Sequence, residues 1–79
     1  ELLDLMEAHL NLERQSAADY FAAAIWFAER ELTGFAEHLR DEAKQEQEHA
    51  AKFADYLISR GQRPVLDTIE PPRHQWTGV

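Results

Sequence analysis

The apolar positions of the first 30 residues recur with the period of an α-helix. No proline or glycine occurs from residue 2 to about residue 30, and apolar side chains return every three or four residues. This pattern predicts one long amphipathic helix that packs its stripe against a neighbouring helix. The stripe consists of Leu3, Met6, Leu10, Glu13, Ala17, Tyr20, Ala24 and Phe27.

A second helix is predicted from about residue 35 to residue 60. Gly61 follows at the position where helices commonly end. Between the helices, Thr33 is a candidate cap and Gly34 a candidate turn residue, because glycine adopts backbone angles that other residues avoid. The two helices are therefore predicted to form an antiparallel, all-α hairpin. The stripe of the second helix consists of Leu39, Ala43, Glu46, Ala50, Phe53 and Leu57.

Residues 61–79 have a different composition. They contain all three prolines and two of the three glycines, which excludes a continuous helix. Val65, Leu66 and Ile69 predict an extended segment that lies against an apolar surface. The segment resembles a connection between two elements.

Length and charge narrow the class of protein. A chain of 79 residues forms at most one small domain, or part of one. The absence of cysteine leaves only oxygen and nitrogen atoms as metal ligands. The formal net charge of −7 argues against nucleic acid or an anionic membrane as a partner. No apolar run approaches the roughly 18 residues that span a bilayer, so a cytoplasmic location is expected.

Each apolar stripe contains one carboxylate near its centre, Glu13 in the first helix and Glu46 in the second. A carboxylate in an apolar seam is costly unless it is paired, protonated or bound to a metal. His49 lies three residues after Glu46 and shares its helix face. If the turn is centred at residue 32 or 33, Glu13 lies within about 4.5 Å of axial rise from the level of His49. The sequence therefore predicts that these three side chains converge on a buried metal site.

Several stretches resemble the first two helices of bacterial-type ferritins. The residues that carry this resemblance are 11–14, Tyr20, 24–27 and 46–50, and the step of 33 residues from Glu13 to Glu46 matches the ferritin interval. Residues 55–73 are similar to the long crossover that follows the second helix in that family. The resemblance implies that the hairpin is half of a ferritin-like four-helix bundle, followed by a crossover segment, within a single domain over residues 1–79.

The resemblance also implies a function. Ferritins oxidise Fe²⁺ with dioxygen or peroxide at a di-iron ferroxidase centre, and they store the ferric mineral inside a cage of 24 subunits. By their positions in the motifs, Glu13 and His49 are expected to be terminal ligands of one iron, and Glu46 is expected to bridge the two. Tyr20 is expected to lie beside this catalytic site.

One Glu and one Glu-x-x-His supply only half of the ligand set of a ferritin-like bundle. Two further helices must therefore come from a longer chain or second fragment, or from a second copy of the hairpin, as in the two-helix encapsulated ferritins. We expect the first arrangement, because the crossover-like tail connects to a further element. A non-enzymatic alternative is a scaffold or dimerisation hairpin, whose carboxylates pair with basic residues of a partner.

More limited roles are expected for several other residues. Glu42, one turn before Glu46, is a candidate for a third metal site, and His9, one turn before Glu13, is a candidate for an alternative His-x-x-x-Glu site. Surface positions are expected for His38 and His74, and packing positions for Trp26 and Phe27.

Overall fold

The computed structural model describes residues 1–72 as two long helices followed by a segment without helix or strand. The first helix, α1, spans Leu2–Glu29, and the second, α2, spans Thr33–Ser59. Both predicted helices are confirmed to within two residues at each end, and so is the all-α hairpin. Residues 73–79, with the expectation for His74, lie outside the described residues. Neither helix is both long enough and apolar enough to cross a lipid bilayer.

The seam between the helices uses only part of each predicted stripe. Its buried members recur every seven residues on both helices, and most are alanines, whose small side chains let the helix backbones approach closely. Glu13 and Glu46 lie beside this seam and are half-buried, on a face that the hairpin leaves open. The seam is formed by Leu10, Ala17 and Ala24 of α1 and by Ala36, Ala43, Ala50 and Leu57 of α2.

The turn between the helices differs from the prediction. Gly34 lies inside the first turn of α2, and no side chain caps that helix. The left-handed residue is Glu31, with φ 60°. This conformation lets the Leu32 amide donate to the Phe27 carbonyl at 3.0 Å, which satisfies one of the free carbonyls at the end of α1. The expected roles of Thr33 and Gly34 are therefore wrong, because the helix end closes earlier on a non-glycine residue.

The end of α2 follows the prediction. Gly61 has φ 81°, and the Gln62 amide donates to the Leu57 carbonyl at 3.0 Å. The two helices thus end with the same hydrogen-bonding arrangement, in which the residue after the cap is left-handed. Only at Gly61 does this residue avoid the steric conflict of a Cβ atom.

Residues 62–72, here called the strap, run along α1 and contain no helix or strand, as the prolines predict. Polar side chains of α1 hold them. Asn11 donates to the Val65 carbonyl at 3.0 Å and accepts from the Asp67 amide at 2.9 Å. Gln15 makes the same two-way contact with the backbone of Glu70, at 3.1 and 2.8 Å. The strap is therefore anchored through its main chain.

The expected apolar surface beneath the strap is found only in part. Ile69 lines a groove with Phe21, but Val65 and Leu66 remain 55% and 60% exposed. The strap contacts a row of α1 residues spaced by four, Glu7, Asn11 and Gln15, which rise about 6.0 Å per step. The strap amides that donate to this row belong to Val65, Asp67 and Glu70, which are two and three residues apart. Successive backbone groups of the strap therefore meet successive side chains of the helix.

Candidate metal centre

Three side chains from the two helices converge on the open face of the hairpin. Glu13, Glu46 and His49 each offer one ligand atom, and these atoms all lie within 4.8 Å of one another. His49 Nδ1 is 3.1 Å from Glu46 Oε1 and 3.8 Å from Glu13 Oε2. The convergence that the helical spacing predicts is therefore present.

The helix geometry explains this convergence. Glu46 and His49 are three residues apart and share one face of α2. Close packing of the alanine seam brings α1 near enough for Glu13 to reach them. The expected complete burial is not found: the side chains of Glu13 and Glu46 are 21% and 20% exposed, and that of His49 is 49% exposed. The cluster is thus open on one side, where further ligands can approach.

Glu46 affects the protonation of Glu13. A hydrogen bond to the side chain of Glu46 is the largest cause that raises the pKa of Glu13 above its ordinary value, followed by burial and by the negative charge of Glu46. The charges of His49 and His9 act in the opposite direction. A shared proton reduces the repulsion between the two acids when no metal is bound.

The other candidate residues lie apart from the cluster. Glu42 pairs with His38 at 3.7 Å, so within residues 1–72 it does not join the three ligand atoms. His9 stacks on Phe53, with ring centroids 5.8 Å apart. Tyr20 is half-buried, and among the described residues its hydroxyl has no hydrogen bond to the cluster.

The packing residues follow the expectation. Trp26 is 2% exposed and makes an edge-on contact with Phe27, with ring centroids 5.1 Å apart. The guanidinium of Arg30 lies 3.7 Å from the centre of the Trp26 ring. These contacts belong to the turn end of the hairpin and do not involve the cluster.

A cleft beside the cluster was not predicted from the sequence. Glu13 and His49 form part of its lining, and so does Phe53, one turn after His49 on α2. One sequence feature could have revealed the cleft: the α2 residues three and four positions after His49 lie on the same helix face as His49. Its remaining lining residues are Met6, Lys52 and Tyr56.

The donor set suits a transition-metal ion of intermediate softness. Two carboxylates and one imidazole are ligands that accept iron in both common oxidation states, as well as manganese, cobalt and zinc. Within residues 1–72, no lysine or arginine forms an ion pair with Glu13 or Glu46. The hairpin itself therefore offers these carboxylates to a cation or to a partner.

The chain is similar to ferritins along its whole length. It is 33% identical to the bacterial non-heme ferritin of Staphylococcus epidermidis and 28% identical to that of Escherichia coli, in each case over the full chain and 48% of the relative. The chain thus spans about half the length of these relatives.

Solved structures show the same relationship. An open-pore ferritin from Archaeoglobus fulgidus matches 98% of the chain with a TM-score of 0.90 and 30% identity, and the match covers 48% of that protein. A ferritin from Chlorobium tepidum matches with the same TM-score at 26% identity. The ferritin family model, described as a ferritin-like domain, matches residues 3–79. The chain therefore belongs to the ferritin family and carries the hairpin that makes up half of its four-helix bundle.

Proposed function

We propose that the protein oxidises Fe²⁺ at a di-iron centre to which Glu13, Glu46 and His49 contribute, and that it stores the ferric product. The observation that carries this proposal is the convergence of these three ligand atoms within 4.8 Å, from both helices of a ferritin-like hairpin. The relatives are named as ferritins, and the donor set matches the ligands that iron accepts in both oxidation states.

Each ligand has a distinct position in the proposed centre. Glu46 contacts both Glu13 and His49, and its two oxygens are the proposed bridge between a pair of iron ions. Glu13 and His49 then bind one of these ions as terminal ligands. Tyr20, seven residues after Glu13 on α1, is assigned a supporting role beside the centre, on the same helix face.

The described residues provide half of a ferritin-like ligand set. In bundles of this type, two further helices add a second Glu and a second Glu-x-x-His. We assign these ligands to helices that pack on the open face beside Glu13 and His49. The proposal further assumes assembly into a cage of 24 subunits in the cytoplasm, with dioxygen or peroxide as the oxidant.

Fe²⁺ oxidation tests the proposal. Metal-free protein is mixed with Fe²⁺ in aerated buffer, and the appearance of ferric absorbance is compared for the wild type, Glu46→Ala and Glu48→Ala. Glu48 is exposed on the same helix and supplies a control for the loss of one negative charge. We expect Glu46→Ala to lower the rate by more than about 100-fold, because even outer-shell partners of metals contribute 10- to 100-fold. Equal rates in the two variants would contradict the assignment.

A further inference from the structure

The proposed centre depends on the register between two helices, since Glu13 lies on α1 while Glu46 and His49 lie on α2. The alanine seam beside the centre contributes little to that register, because Ala17, Ala43 and Ala50 carry no side chain long enough to interlock. A larger contact between the helices is needed near the cluster. The buried side chain of Leu10 supplies one such contact, and the ring of His9 supplies another.

The imidazole of His9 on α1 stacks on the ring of Phe53 on α2. Their centroids are 5.8 Å apart, and the ring planes are inclined by 16°. His9 precedes Glu13 by four residues, and Phe53 follows His49 by four residues. On each helix the step is about 6.0 Å, or one turn. The stack and the cluster are therefore neighbouring contacts between the same two helices.

Phe53 connects the stack to the centre. Its ring lines the cleft that also contains Glu13 and His49, so its position affects the space around both ligands. His9 does not join the three ligand atoms. Among residues 1–72 its interactions are the ring stack on Phe53 and the effect of its charge on Glu13. The contact of His9 with α2 is therefore the flat face of its ring against Phe53.

We propose that His9 is a positioning residue that holds Glu13 at the distance from His49 that metal binding requires, by stacking on Phe53. This inference rests on the proposed function, because it concerns the same centre. It replaces the expectation of an alternative His-x-x-x-Glu site, since His9 acts through its ring face. A phenyl ring at position 9 preserves this contact, whereas a methyl group removes it.

The test compares Co²⁺ binding by the wild type, His9→Phe and His9→Ala, with His38→Ala as a matched control. His38 is an exposed histidine that pairs with Glu42 outside the cluster. Co²⁺ affinity is measured by titration, and the visible d–d absorption at saturating Co²⁺ reports ligand geometry. Thermal unfolding of the metal-free variants shows whether each one folds.

We expect His9→Ala to bind Co²⁺ about two- to tenfold more weakly, since aromatic stacking of this kind contributes about 0.5–1.5 kcal/mol. Its d–d spectrum should also change shape, which a general loss of stability does not cause. His9→Phe and His38→Ala should keep the affinity and spectrum of the wild type.

Three results would overturn the inference. If His9→Ala binds Co²⁺ as the wild type does, the stack does not position the ligands. If His9→Phe is as weak as His9→Ala, the imidazole acts through its nitrogens or its charge. If the wild type itself fails to bind Co²⁺, the proposed centre fails and the positioning role fails with it. The first result, together with loss of Co²⁺ binding in Glu46→Ala, leaves the centre intact and rejects only the inference.

Discussion

Glu13 and Glu46 meet across the two helices of the hairpin, and their hydrogen bond raises the pKa of Glu13. The carboxyl group of Glu13 is only 21% exposed, so solvent screens this contact incompletely. In the metal-free protein Glu13 therefore holds a proton more readily than an isolated glutamate does. This proton links folding, acidity and metal binding.

The first prediction concerns the stability of the metal-free protein. Because the folded state holds a proton on Glu13 that the unfolded state releases, this group contributes stability below the ordinary pKa of 4.5. That contribution is lost as the pH rises through the raised pKa of the folded state. Urea denaturation between pH 4 and pH 7 should show this decline in the wild type and in Glu48→Gln. In Glu13→Gln the decline should be smaller, and equal slopes in the three proteins would contradict the coupling.

The second prediction concerns proton release on metal binding. We expect a divalent cation to displace the proton held by Glu13. Binding should therefore release more protons at pH values where Glu13 is partly protonated than at higher pH. Calorimetric titration with Co²⁺ in two buffers of different ionisation enthalpy measures that number. We expect it to fall in Glu13→Gln and to stay unchanged in Glu48→Gln. A value that is independent of Glu13 would show that the pair does not share a proton.

The third prediction concerns the turn. Glu31 has φ 60°, which costs an ordinary residue about 1–2 kcal/mol. Glycine avoids that cost but loses about 0.5–1 kcal/mol through the freedom of the unfolded chain. Glu31→Gly should therefore stabilise the protein by about 0.5–1 kcal/mol in urea denaturation. The control Glu37→Gly, in the interior of α2, should destabilise it by about 1 kcal/mol. Destabilisation by both changes would contradict the left-handed conformation of Glu31.

The fourth prediction concerns the strap. The Asp67 amide donates to Asn11, and the Glu70 amide donates to Gln15. Asn11→Ala should speed hydrogen exchange at the Asp67 amide by about two- to tenfold, since one hydrogen bond contributes about 0.5–1.5 kcal/mol. Gln15→Ala should have the matching effect at Glu70. Each variant is the control for the other, and identical exchange patterns in both would show that the strap is not held by individual contacts.

The helices and the convergence of Glu13, Glu46 and His49 could be predicted because both follow from helical periodicity. Spacings of three and four residues fixed the helix faces, and the turn position fixed which levels of the two helices meet. Glu13, Glu46 and His49 therefore converge as the sequence indicates. Which residues of each stripe lie in the buried seam, and which lie on the open face, could not be predicted. This depends on how closely the alanines let the helices approach.

The turn and the strap contacts were not predictable for different reasons. The left-handed residue is Glu31, a residue type that rarely adopts this conformation. The sequence instead predicts the turn residue at the nearby Gly34. The polar α1 residues that hold the strap have the spacing of an ordinary solvent-facing helix surface. Only the three-dimensional path of residues 62–72 shows that Asn11 and Gln15 bind a backbone instead of water.

The strap has a mechanical consequence for α1. At 100° per residue, Asn11 and Glu13 point in directions about 160° apart around the helix axis. The strap therefore holds one side of α1 while the cluster of Glu13, Glu46 and His49 lies on nearly the opposite side. Rotating the helix by about 20° would move side-chain tips on both sides by about 2 Å, which exceeds the tolerance of a hydrogen bond. The backbone contacts of Asn11 and Gln15 thus oppose axial rotation of α1, and they keep Glu13 directed toward His49 from the far side of its own helix.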